Sequence, residues 1–159
     1  MKSVFAAAVL AVLAVAEPLA AKDIGARDGW TVVPTGKSYD VLVKSVIAAT
    51  KANKMGVVTQ AGPTRAAAAR GVTIPGNRVI GVFNNHFAVE ILNLSTAAMI
   101  EAPIRIYVTE NGDGTATVSY KHPSTVFAPY MDEGGSALAD LAGQLDQKFA
   151  AIVKAAAAE

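Results

Sequence analysis

Two basic residues, Arg105 and Lys121, stand where they can act on one anion. The segments Ile104-Arg105-Ile106-Tyr107-Val108-Thr109 and Ala116-Thr117-Val118-Ser119-Tyr120-Lys121 alternate apolar with more polar residues, the pattern of half-buried strands. Between them, Asn111-Gly112-Asp113-Gly114 reads as a hairpin turn. A three-residue loop Gly112-Asp113-Gly114, with Gly114 left-handed, pairs Asn111 with Thr115, Thr109 with Thr117, Tyr107 with Ser119 and Arg105 with Lys121. The same register sets Ile106 opposite Tyr120 and Val108 opposite Val118 on the buried face, so the apolar pattern supports it independently. Directly opposed like charges destabilise a sheet, and something negative is expected between them. One candidate is a carboxylate of this chain or of a dimer partner, with Glu101 and Glu133 the nearest in sequence. The other is a small anionic ligand held by the guanidinium fork and the ammonium, with Tyr107 and Ser119 beside it.

Other chemistry is sparse. Asn84, Asn85, His86 and Glu101 are further candidates for lining a site. Asn84-Asn85 are first of all capping residues for a helix, and His86 falls in its first turn, where the helix dipole disfavours the imidazolium. His86 and His122 are isolated from each other and the chain has no cysteine, so neither a metal site nor a haem or other cofactor is expected. Trp30, Tyr107, Tyr120 and Tyr130 are expected mainly to fill the core or a subunit contact, with pocket lining the alternative. Gly36-Lys37-Ser38 resembles the end of a P-loop, but Thr31 occupies the position of the required first glycine. Asn111-Gly112-Asp113-Gly114 lacks the spaced ligands and closing glutamate of a calcium loop. Ser136 lacks a nucleophile-elbow context and reads as a helix cap.

The elements that must position these residues are punctuated regularly. Gly29 to Thr35 is a strand closed at Pro34-Thr35-Gly36, and Ser38 caps a helix with Tyr39, Leu42, Val43, Val46 and Ile47 on its apolar side. Val57 to Gln60 is a short strand, Pro63 opens an alanine-rich helix that Gly71 ends, and Arg78 to Phe83 is another strand. A short helix then carries Phe87, Ile91 and Leu94. From Ser136 a last helix repeats Leu138, Leu141, Leu145, Phe149, Ile152 and Ala156 at intervals of three or four, a single-sided stripe that must be covered. The pattern predicts a small α+β domain: a mixed or antiparallel sheet of about four to five strands, helices on one face, and a long C-terminal helix.

The 159 residues allow one domain, and 14 Lys+Arg against 13 Asp+Glu give a net charge of +1. Such a balance argues against a nucleic-acid binder that works by neutralising phosphates. At the start, Lys2, the uncharged stretch Ser3 to Ala16 and then Glu17-Pro18-Leu19-Ala20-Ala21 have the layout of a secretory signal peptide. Cleavage is expected after Ala16, with Ala21 the alternative, so residues 1–21 are assigned to the leader and 22–159 to the domain. The run is too short to span a bilayer and no later one is longer, so the mature protein is expected in the periplasm or secreted, without a membrane span.

Three segments carry a family resemblance: Val82-Phe83-Asn84-Asn85-His86-Phe87, Glu101-Ala102-Pro103-Ile104-Arg105-Ile106-Tyr107-Val108, and Gly112-Asp113-Gly114-Thr115 through Ser119-Tyr120-Lys121-His122-Pro123. In order and spacing they resemble the domain of unknown function 302 family, and the likeness extends over about Gly29 to Val153. The resemblance implies a compact α+β domain, often a homodimer, with no established activity or cofactor. It also implies a secreted, proteobacterial-type member with the same kind of leader. His86 departs from the family pattern, which commonly has Pro or Asp there. Together these readings favour a periplasmic accessory or small-ligand binding domain over an uncharacterised enzyme, for which no catalytic residues converge, and over an assembly protein acting through homodimerisation.

Overall fold

The computed structural model describes residues 23–159. The leader assigned to residues 1–21 therefore lies outside the described residues. In chain order the elements are β1 (Trp30–Thr35), α1 (Tyr39–Ala52), β2 (Gly56–Ala61), α2 (Thr64–Ala68), β3 (Asn77–Phe83), α3 (Asn85–Leu94), a 3-10 turn (Ala97–Glu101), β4 (Ile104–Glu110), β5 (Ala116–Lys121), α4 (Pro123–Phe127), a second 3-10 turn (Ala128–Tyr130) and α5 (Met131–Ala157). The strands form one five-stranded sheet in the order β1-β5-β4-β3-β2. Every neighbouring pair is antiparallel, so the expected α+β class holds and the sheet is purely antiparallel rather than mixed.

The β4–β5 hairpin has the register that its loop dictates: Tyr107 pairs with Ser119, Thr109 with Thr117, and Ile106 with Tyr120. Asn111 N donates to Thr115 O over 2.8 Å, and Gly114 at φ +82° supplies the left-handed residue of the loop. One sheet face is apolar. Ile80, Val82, Ile106, Val108, Val118 and Tyr120 pack there against Leu42 and Val46 of α1 and against the α5 stripe. In that stripe Leu138, Leu145, Phe149, Ile152 and Ala156 are buried, as the single-sided spacing requires.

Helix boundaries depart from the sequence reading in two places. The last helix starts at Met131 rather than Ser136, but Gly135 (φ 55°, ψ −148°) interrupts it, so a regular run begins at Ser136. A short helix that the sequence reading does not include, α4, follows β5, and Pro123 occupies its first turn, where a missing N–H costs nothing. Asp146 of α5 accepts a hydrogen bond from Ser124 N at 3.0 Å, joining the start of α4 to α5. No helix among the described residues is long and apolar enough to cross a membrane.

Candidate functional site

The sheet face away from the core is built from the alternate residues of the same strands. Trp30 pairs with Lys121 and Gly81 pairs with Arg105. The β4–β5 register carried one residue past Ile106–Tyr120 sets Arg105 beside Lys121, so one row crosses the sheet as Trp30, Lys121, Arg105, Gly81. The next row is Val32, Ser119, Tyr107, Val79. Over these rows lies a cavity of about 330 Å³ whose wall includes Trp30, Val79, Glu101, Arg105, Tyr107 and Lys121, with Val126 of α4 closing one side. The two cations singled out by the hairpin register therefore share one cavity with Glu101 and Tyr107.

Each charged side chain there has a definable surrounding. The Lys121 ammonium lies 5.6 Å from the centre of the Trp30 ring, and the Arg27 guanidinium lies 5.4 Å from that centre. Glu101 Oε2 is 3.8 Å from the Arg105 guanidinium, whose side chain is 62% exposed. A pair that long and that wet contributes about 0–1 kcal/mol, so it does not satisfy Arg105. The other carboxylate oxygen accepts a hydrogen bond from the Tyr130 hydroxyl at 2.9 Å, and that bond pushes the Tyr130 phenol above its ordinary pKa of 10.0. No carboxylate among the described residues lies within ion-pair distance of Lys121. Of the two carboxylates expected between the cations, Glu101 reaches only Arg105. Glu133 is engaged elsewhere, accepting from the buried Ser95 hydroxyl at 2.6 Å.

A close approach on β3 seats Pro103, two residues after Glu101, against the sheet. A Cβ on Gly81 would lie 2.1 Å from Thr59 Oγ1 and 2.8 Å from Pro103 Cγ, so only glycine lets the Pro103 ring settle against the sheet. Tyr107 is held by a hydrogen bond from the Asn77 side chain to its hydroxyl.

The remaining sequence candidates lie elsewhere. Ser119 shares the cavity's sheet face but does not line it. Its side chain, short and set between Val32 and Tyr107, is fully buried, and its hydroxyl has no partner among the described residues. Asn84 caps α3, its Oδ1 accepting from His86 N at 2.9 Å and Phe87 N at 3.4 Å. Asn85 and His86 are exposed on the same helix start, and His86 Nε2 lies 2.7 Å from Glu90 Oε1 across one turn. None of the three contributes to the cavity beside Arg105. His122 Nε2 lies 3.0 Å from Thr31 Oγ1. No group of three or more His, Asp or Glu side chains among the described residues is placed to hold a metal ion. Asn77, Val79 and Val126 lie outside the sequence candidates, and Trp30, for which pocket lining is only the alternative in the sequence, lines the cavity. Trp30 in particular depends on the β1–β5 pairing, which joins residues some ninety positions apart and has no local signature.

The model of the domain of unknown function DUF302 matches residues 31–156. The crystal structure of an uncharacterized conserved DUF302 protein from Bacillus stearothermophilus superposes with a TM-score of 0.72 at 17% identity, over 82% of this chain and 99% of that one. At that identity the likeness is one of fold. No curated protein matches the chain.

Proposed function

The chain belongs to the DUF302 family, and we propose that it is an exported accessory domain that binds a small anion between Arg105 and Lys121. The observation that carries this reading is the shared cavity, in which two cations lie over apolar and aromatic walls and no carboxylate of the described chain joins them. A guanidinium offers two parallel donors and an ammonium a mobile third, a combination suited to a carboxylate or similar oxyanion. Export is supported by the basic, apolar and small-residue order of the first 21 residues. An assembly role is less well supported, since such a surface would be a continuous apolar patch and this face has exposed Arg105 and Lys121 at its middle.

Thermal unfolding with and without benzoate tests the reading. At a ligand concentration 100 times Kd, a site specific to the folded state contributes about 2.7 kcal/mol. Arg105→Ala and Lys121→Ala should each reduce this ligand-dependent rise in Tm. Variants that lower the Tm of the free protein but leave the rise intact would assign the two cations to internal pairing instead.

A further inference from the structure

The cavity that holds the two cations also holds a fixed negative charge. Glu101 is oriented by a hydrogen bond, one carboxylate oxygen accepting from Tyr130 at 2.9 Å, while the other faces Arg105. We propose that Glu101 is a charge filter: the site takes an amphipathic ligand with a single negative charge, a monocarboxylate, and rejects dianions. This rests on the ligand-binding reading above and adds the class of ligand.

Arg105, Lys121 and Glu101 together leave the cavity with one net positive charge. A monocarboxylate between the cations neutralises it. A second anionic group on the same small ligand shares the partly open cavity of about 330 Å³ with the Glu101 carboxylate, and like charges brought that close repel even where water screens them. The rest of the wall offers such a group little: the Asn77 amide is engaged by the Tyr107 hydroxyl, and Val79, Ile104, Val126 and the rings of Trp30 and Tyr107 suit a hydrocarbon or aromatic body. Dicarboxylates and phosphate monoesters are therefore excluded by charge rather than by size.

The test compares ligands of nearly the same shape and different charge at neutral pH: monomethyl isophthalate against isophthalate, and monomethyl adipate against adipate. Trp30, the only tryptophan of the chain, lines the cavity and reports binding by its fluorescence, with calorimetry as the second measurement. In the wild-type chain the monoester should bind on the order of tenfold or more tightly than its diacid. Glu101→Gln keeps an acceptor for Tyr130 while removing the charge, and it should bring the diacid to within about threefold of the monoester. Diacids that bind the wild type as tightly as the monoesters, or a preference unchanged in Glu101→Gln, would overturn the filter while leaving anion binding intact. Failure of all four compounds to bind would overturn the binding reading, and the filter with it.

Discussion

The Lys121 ammonium sits 5.6 Å from the centre of the Trp30 ring, its direct partner across the β5–β1 pairing. This contact holds a cation at the cavity edge without neutralising it, because a ring quadrupole attracts the charge but accepts none of its protons strongly. Lys121→Met should therefore change stability by no more than about 0.5–1 kcal/mol, since the lost ring contact is offset by relief of the repulsion from Arg105. It should also change the emission of Trp30. A stability loss several times larger would indicate that Lys121 is engaged in a buried ion pair.

Gly81→Ala tests whether the Pro103 contact places Glu101. The added methyl meets the Pro103 ring and Thr59, and a forced overlap in a packed region costs about 1–3 kcal/mol. The variant should have a lower denaturant midpoint, and in the ligand comparison it should lose part of the preference for monoanions as Glu101 shifts. An unchanged midpoint would mean that the loop yields without penalty.

How much of this was legible in the sequence follows the range of the interactions. The hairpin is local: a three-residue loop sets its register, and that register places Arg105, Tyr107 and Lys121 on one face. The α5 stripe is legible for the same reason, since helical spacing is a property of a single segment. Strand order is not local. Trp30 meets Lys121 only because β1 pairs with β5, and Val79 meets Tyr107 only because β3 pairs with β4, so both walls of the cavity escape a reading by segments. Ser119 shows a subtler limit. Alternation assigns it to the correct face, but whether its short side chain reaches the surface depends on the bulk of Val32 and Tyr107 on either side.

Leu145 lies in the middle of the α5 stripe and is 3% exposed. Truncation to alanine removes buried methyl groups and leaves a cavity that the sheet and α5 can fill only in part. Leu145→Ala should cost about 2–5 kcal/mol, read as a lower denaturant midpoint with an unchanged slope. A midpoint equal to that of the wild type would mean that α5 is not docked at that position.

Asp113 ties the tip of the hairpin through its charge. Its Oδ1 accepts from Thr115 Oγ1 at 2.6 Å and from Thr115 N at 2.9 Å. Both bonds favour the ionised carboxylate, the side-chain bond more, and they hold the Asp113 pKa below its ordinary value of 3.8. A pKa depressed on folding stabilises the folded state fully above the unfolded value, and that contribution is lost as pH falls through the lower folded value. Asp113→Ala should therefore be less stable than the wild type at neutral pH. The gap should close on acidification below the ordinary aspartate range, where the wild-type carboxyl is protonated too. Denaturant midpoints of both proteins across a pH series measure the gap directly, because the other carboxylates titrate alike in each and cancel. A gap that stays constant into strong acid would show that the Asp113 charge does not support the loop.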